Sequence, residues 1–428
     1  MKVAIVVQRY GLDVSGGAEL HARYIAELLA SKIDIRVFAT CARDYLTWRN
    51  EYPSGLEVLN GVPVERFSVA KERDLKEFSA AQRRVFDRAH SLNEELEYLD
   101  VQGPASPSLL RRIRAVRDEF DFFLFFSLRY YQSYHGSRII PRRSVLVPTA
   151  EREPAVALAI FQPILRGVRA ILYNSPEEQA LLQTLAGSTR VPGVVVGVGS
   201  KIPERVEPHR AKQKFHLVRP FIVYVGRIDP NKGCGDLFAF FELYAAGADR
   251  EVDLILIGSV AMPIPEHPRI RHLGFVGDQD KFDVIAAAEA LVMPSYFESL
   301  SIVALEAWAL GRPVIANARC DVLVGQCLRS NAGLYYRNAE EFAGVLDVML
   351  NDAALHKSLG DNGRTFYSAH YRWSVIEEKY LAMFDELNSS PPRYAMERLP
   401  WWHRNRPTVP PAGEILAAVP AGPVLPEA

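Results

Sequence analysis

Four clusters in this 428-residue chain have the residue types and spacing that chemistry requires, and each falls where a candidate strand ends. Arg227 and Lys232 share the run Val225-Gly226-Arg227-Ile228-Asp229-Pro230-Asn231-Lys232-Gly233. Two cations on one loop above a sheet suit the clamping of a diphosphate, and the flanking glycines argue for a shaped loop rather than surface decoration. Glu298 and Glu306 lie in the run 294–307, the first on a loop and the second on a helix expected from Ser299 or Ser301 to Leu310. Glu306 stands among Ile302, Val303, Ala304, Leu305, Ala307 and Trp308, so its carboxylate should be desolvated and need a partner such as a hydroxyl-rich ligand. The competing reading is a capping Glu298 and a core-paired Glu306. The N-terminus of that helix offers free N–H groups where a phosphate would sit.

The third cluster, Gly16-Gly17-Ala18-Glu19, opens the first helix directly after the first strand. Glycines there let a phosphate or sugar approach the backbone, but a simple helix-starting turn fits equally, and the run is no G-x-G-x-x-G dinucleotide fingerprint. The fourth comprises Ser127–His135 and Pro148–Pro154, polar and aromatic loops that should face a cleft. For His135 a satisfied structural histidine competes with a ligand contact. Asp278-Gln279-Asp280 is a D-x-D match, yet it begins a candidate helix, where Asp is an ordinary cap and dipole partner. No metal is expected.

The elements that must position these residues alternate strand and helix. Candidate strands are Lys2–Val7, Ile33–Thr40, Val62–Phe67, Asp121–Phe126, Ser144–Val147, Arg169–Tyr173 and Gly193–Gly197, then Phe221–Val225, Val252–Ile257, Ile270–Gly274, Ala290–Met293 and Pro313–Ala316. Short apolar runs rich in Val, Ile and Phe suit strands buried on both faces. Residues 18–31, with Leu20, Tyr24, Ile25 and Leu28 at helical spacing, complete a βαβ unit and imply a parallel sheet. This predicts an α/β protein with two Rossmann-like, doubly wound domains facing a cleft, at residues 1–200 and 201–373, joined by a polar linker over 201–219. Ligands of open α/β sheets bind at the carboxyl ends of the strands.

Residues 70–120 form a charged helical insertion, where Leu109, Ile113, Val116 and Phe120 mark an apolar face and Arg111, Arg112, Arg114 and Arg117 decorate the rest. A packing helix with a solvated face is one reading, and a surface for anionic lipid or acceptor is the other. Residues 374–389 should form a helix that crosses back to the first domain. The last 39 residues, 390–428, hold nine of the 28 prolines and read as a largely irregular tail, with Trp401-Trp402 a candidate for local docking.

Composition excludes several classes. A single core rarely grows past roughly 250–300 residues, so two domains are natural. Fifty basic against 51 acidic side chains give a net charge of −1, which recruits no nucleic acid. Cys41, Cys234, Cys320 and Cys327 include no C-x-x-C and read as reduced thiols of a cytosolic protein. No run approaches the ~18–20 apolar residues needed to span a bilayer, so the protein is expected to be cytoplasmic, with at most peripheral contact at the inner face of the membrane.

Together the second-half motifs resemble the retaining, nucleotide-sugar-dependent glycosyltransferases of family 4, also called group 1, which have the GT-B fold. The resemblance rests on Glu298-x7-Glu306 with Gly311-Arg312-Pro313-Val314-Ile315-Ala316, on G-R-I-D-P-N-K-G, and on Gly16-Gly17-Ala18-Glu19, with Asn174-Ser175 and Gly197-Val198-Gly199 also fitting. It covers roughly residues 1–388 and implies transfer of a sugar from a nucleotide-diphosphate donor to a glycan or lipid-linked acceptor, as in surface polysaccharide synthesis, without a metal or other cofactor. It further implies that Arg227 and Lys232 neutralise the leaving diphosphate, Glu306 holds the ribose and Glu298 the donor sugar. Backbone N–H groups near Leu300 and Ser301 would reach the phosphates, Phe275 would lie by the base, and Gly16 and Gly17 would face phosphate and acceptor. Many relatives carry a His in the loop read here as Thr149-Ala150-Glu151-Arg152-Glu153; Glu151 or His135 is left to fill that space. A second departure is Ala318–Cys327, where relatives often have a glycine pair with an acid. Two rivals remain at this level: an inactive nucleotide-sugar-binding assembly partner, and a sugar-nucleotide epimerase of similar architecture.

Overall fold

A computed structural model of the chain describes residues 1–14, 16–247, 251–392, 395–397, 399 and 412–419. The first sheet contains β1 (Lys2–Val6), β2 (Asp34–Thr40), β3 (Gly55–Leu59), β4 (Val62–Phe67), β5 (Phe122–Phe126), β6 (Ser144–Val147), β7 (Ala170–Tyr173) and β8 (Gly193–Val195). Their spatial order is β3-β4-β2-β1-β5-β6-β7-β8, parallel except for the β3–β4 hairpin. The second sheet contains β9 (Phe221–Val225), β10 (Asp253–Ile257), β11 (Ile270–His272), β12 (Ala290–Met293), β13 (Val314–Asn317) and β14 (Gly333–Tyr336), ordered β11-β10-β9-β12-β13-β14 and parallel throughout.

Each sheet winds outward from its first strand and then jumps back beside it, between β1 and β5 in one and between β9 and β12 in the other. Loops leaving the two strands at such a reversal diverge to opposite faces and open a crevice at the carboxyl ends. That topology sets the glycine loop beside Ser127–Tyr130, and the Arg227–Lys232 loop beside the Glu298 loop.

Two strands were not expected, and both are sheet edges. β3 is half-exposed and lacks a continuous apolar run, but Asn60-Gly61 joins it to β4 with φ of +50° and +80°. Asn-Gly at a two-residue turn is a strong hairpin signal, and it was present in the sequence. β14 is a four-residue edge strand of mixed exposure. The expected linker over 201–219 carries a helix, Pro208–Lys214, fastened to the helix Asp278–Ala287 by Arg210 on Asp283 and by Lys214 on Asp280. Polar composition there reflects ion pairing rather than a free connection.

Helix positions follow local rules. The helix Pro176–Ala186 starts on a Ser175 cap with Pro at its first position and stops at Gly187 in the left-handed conformation. The insertion folds as three helices, Leu75–Phe86, Leu92–Gln102 and Pro107–Ala115. Leu109, Ile113, Val116 and Phe120 are buried in the core on that face of the sheet, while Arg112 pairs with Glu65 at 3.0 Å and Arg117 with Asp118 at 3.2 Å. This is the packing reading of that segment.

The chain returns to the first domain through the helix Trp373–Ser389. Phe384 stacks on Phe122 at 5.5 Å, Trp373 meets Tyr24 edge-on at 5.5 Å, and the Tyr380 hydroxyl lies 3.3 Å from His21 Nε2. Burial of each large aromatic contributes about 1.5–3 kcal/mol, enough to make the crossing a fixed strut. Arg169 donates to Leu387 O at 2.6 Å and so satisfies the helix end. Beyond it, Met396 and Leu399 pack on the first domain, and a short exposed helix spans Ala412–Ala417. The irregular tail expected over 390–428, Trp401-Trp402 included, otherwise lies outside the described residues. Among the described residues no helix is long and apolar enough to cross a membrane.

Candidate active site

The loop after β9 is shaped residue by residue. Tyr224 donates its hydroxyl to Arg227 O at 2.7 Å, Arg227 pairs with Asp229 at 2.5 Å, and Asp229 accepts from Asn231 N at 2.7 Å. A 3-10 turn, Pro230–Lys232, then ends at Gly233 with φ +71°. Lys232 emerges from this turn toward the neighbouring β12 loop, where its Nζ binds Glu298 Oε1 at 2.8 Å. Gly258 is equally constrained: a Cβ on it would lie 2.0 Å from Gly226 O, so the β9 and β10 ends touch backbone to backbone.

Glu151 brings the first domain to this pair. Burial pushes its carboxyl up to about 7; Lys232 pulls against that shift and Glu298 adds to it. Burial alone would lower Lys232, but Glu298 and Glu151 hold the ammonium above its ordinary value. Cys320, buried beside the same ions, has its thiol pushed up to about 12 by burial. Lys232 is thus paired with Glu298 and shares its electrostatic field with Glu151 of the other domain. Across the rim Arg152 meets Asp321 at 2.6 Å, and Arg329 grips Glu177 through both carboxylate oxygens.

Glu306 lies in the helix Ile302–Ala309 and is 1% exposed. Its Oε1 accepts from Ser200 Oγ at 2.6 Å and from Lys281 Nζ at 3.0 Å. Its Oε2 is buried and, among the described residues, has no hydrogen-bond partner. An orphaned carboxylate oxygen is costly to keep, and a hydroxyl donor would satisfy it. The helix begins one residue later than the latest expected start because Ser301 is its cap, accepting from Ala304 N at 3.2 Å. The N–H groups of Ile302 and Val303 have no acceptor within the helix, as first-turn donors never do. Leu300 is buried just before them, and Phe275 is 83% exposed beyond Gly274.

Gly16 has φ +152°, and a Cβ there would lie 2.2 Å from Glu19 Oε2. Glu19 is held in turn by Arg9 at 2.8 Å, both side chains buried. Gly17 faces open space. His135 meets Tyr131 in a tilted ring contact at 4.4 Å and lies 3.6 Å from Asp100, on helices of its own domain. Of the two residues left to fill the space by the reacting sugar, Glu151 is therefore the one whose electrostatic neighbours include Lys232 and Glu298. Asp280 is engaged by Lys214 at 2.8 Å, and Asp278 lies 3.5 Å from Lys281.

The four residues expected in one pocket have these direct partners. Lys232 and Glu298 touch, Arg227 is directed along its own loop by Asp229, and Glu306 is held by Lys281 and Ser200. Sequence reasoning passed over Lys281 and Ser200, because neither belongs to a motif and both reach Glu306 only through tertiary packing.

Residues 219–352, which carry β9 through β14, match the family model described as glycosyl transferases group 1. The second domain is thus similar to the group 1 glycosyltransferases. A D-inositol 3-phosphate glycosyltransferase of Corynebacterium urealyticum is 22% identical over 433 residues, covering 94% of this chain and 99% of that protein. Another of that name, from Jonesia denitrificans, is 27% identical over 57% of this chain and 63% of its own length. Among solved structures, sucrose-phosphate synthase from Thermosynechococcus elongatus superposes with TM-score 0.69 at 18% identity, covering 91% of this chain and 99% of that one. Anabaena HepE in complex with UDP-glucose superposes with TM-score 0.64 at 17% identity, covering 90% and 100%. These likenesses establish the GT-B architecture of two facing parallel-sheet domains.

Proposed function

We propose that this protein is a group 1 glycosyltransferase that transfers a sugar, with retention of configuration and without a metal, from a nucleotide-diphosphate donor to a glycan or lipid-linked acceptor in surface polysaccharide synthesis. The observation that carries the reading is the Lys232–Glu298 pair at 2.8 Å on the crevice between β9 and β12, with Glu151 of the facing domain electrostatically joined to it. The names of the relatives favour transfer over the inactive-partner and epimerase readings.

Breaking the bond from the anomeric carbon to the diphosphate leaves oxocarbenium character on the sugar and negative charge on the departing oxygen. Arg227, Lys232 and the N–H groups of Ile302 and Val303 provide positive charge for that oxygen without a metal, and they do so before the reaction begins. Glu306 Oε2 accepts a ribose hydroxyl, Glu298 a hydroxyl of the donor sugar, and Phe275 flanks the base. Glu151 lines the sugar from the acceptor side, and the open backbone at Gly17 admits the acceptor. The acceptor oxygen attacks from the face the diphosphate leaves, and the departing phosphate takes its proton. A cytoplasmic setting fits four buried free thiols, and contact with the inner face of a membrane would be made through the first domain.

A thermal-shift screen against UDP-, GDP- and ADP-linked sugars tests the reading, because a ligand of the native state raises the melting temperature. One donor should stabilise the protein and release its nucleotide on incubation with acceptor extract. No shift with any nucleotide sugar would sink the proposal.

A further inference from the structure

Glu178 lies in the first turn of the helix Pro176–Ala186 and is 1% exposed. Both of its oxygens are committed to backbone. Oε1 accepts from Ala150 N and Oε2 from Asn174 N, each at 2.5 Å. The helix does not need this side chain as its cap, since Ser175 Oγ already accepts from Glu178 N at 3.1 Å. The carboxylate instead reaches past the cap to Asn174 and across to the end of β6, onto the residue that precedes Glu151.

The loop it grips does not hold its shape unaided. Thr149 has φ +46° and Ser127, at the end of β5, has φ +66°, a left-handed conformation that side-chain-bearing residues avoid and a β-branched one avoids most. Their hydroxyls bond each other at 2.8 Å. The Ser127 hydroxyl on one side and Glu178 on the other thus pin Thr149 and Ala150, and the next residue is aimed into the gap. Glu151 there is influenced by Lys232 and Glu298 from the second domain and by Arg129 and Glu153 from its own, while its own charge acts on Glu178.

We propose that Glu178 is a positioning residue: by holding Ala150 N–H it fixes Glu151 against the Lys232–Glu298 pair. The inference rests on the glycosyl-transfer reading, and it assigns to a buried helix residue the orientation of the acceptor-side carboxylate. Misplacement of such a group by about 1 Å can cost about 100-fold in rate.

The test compares Glu178→Gln in the wild-type background and in the Glu151→Gln background. A glutamine has one amide oxygen where two N–H donors need acceptors, so one of the two backbone contacts is lost. Turnover should fall about tenfold or more with nucleotide affinity by calorimetry unchanged. The midpoint at which turnover rises with pH should move down, because burial is what raises the Glu151 carboxyl and a looser loop admits water that favours its ionised form. In the Glu151→Gln background the same change should cost nothing further. An equal loss in both backgrounds, or a pH midpoint that stays put, would make Glu178 a structural cap and overturn the proposal. If Glu178→Gln does not fold, Glu178→Asp serves, since its shorter arm keeps the charge but cannot span both loops. A wild-type protein that neither binds nor turns over any nucleotide sugar overturns the transfer reading, and this inference with it. Normal turnover with an uncoupled Glu178 overturns the inference alone.

Discussion

A Cβ on Gly233 would lie 2.0 Å from the carbonyl oxygen of Pro294, so the backbone after Lys232 is pressed directly against the backbone that leads to Glu298. This contact brings the β9 and β12 loops close enough for Lys232 and Glu298 to meet. Gly233 also has φ +71°, so two separate constraints demand glycine at one position.

Gly233→Ala should therefore destabilise the fold by about 2–4 kcal/mol, combining left-handed strain with a steric clash against main chain that cannot swing aside. Donor turnover should fall in the same variant at temperatures where it remains folded. Urea denaturation and a donor-release assay measure the two effects, and wild-type values in both would show that the loops tolerate separation.

Glu306→Gln should lower nucleotide affinity by about tenfold or more, because a buried acceptor for a hydroxyl is replaced by an amide that must also face Lys281. Calorimetry with the nucleoside diphosphate alone isolates this effect from the sugar. Equal affinity in variant and wild type would remove Glu306 from the ribose position.

Lys232→Ala should cut turnover about 10²–10³-fold, the range seen when a group that stabilises developing charge is lost. Glu298 and Glu151 then face each other without a cation between them, so the Glu151 carboxyl should rise further above about 7. The pH midpoint of the residual turnover should move up in step. A fall in rate with no movement of the midpoint would separate Lys232 from Glu151.

Glu151 also affects stability, and the sign follows from its direction of shift. Its carboxyl is held near 7 in the folded chain against an ordinary value of 4.5, so the folded state binds more protons than the unfolded state between those limits. Stability must then decline as pH rises through that window. Glu151→Gln cannot ionise, and its melting temperature should gain on wild type from about pH 5 to above 7. Parallel melting curves for the two proteins would contradict the burial of this group.

Met396 lies so close to Gly167 that a Cβ there would sit 2.4 Å from Met396 Cα. Truncation after Ser389 should therefore lower the melting temperature by several degrees, as expected when roughly one or two large apolar contacts are lost, while nucleotide affinity is preserved. Truncation after residue 399 should leave both unchanged. A fall in nucleotide affinity on the shorter truncation would place the tail in the site.

The periodic apolar runs determined two wound sheets and put the cation run and the acid run each at a strand end. These were legible because strand burial, helix caps and βα turns are local properties carried by adjacent residues. The Asn60-Gly61 hairpin was equally local, and it was passed over because β3 lacks an apolar run. The tertiary structure alone decided which charges meet: that Lys232 binds Glu298 while Arg227 keeps to Asp229, that Lys281 and Ser200 hold Glu306, and that Glu151 rather than His135 feels the field of the pair. Glu178 belongs with these, since nothing in its neighbours along the chain says that its oxygens reach Ala150. Each contact joins loops more than twenty residues apart, except that of Arg227, and their separation depends on sheet register, backbone contact at glycines and the closure of one domain on the other. A single sequence encodes those quantities only through the fold as a whole.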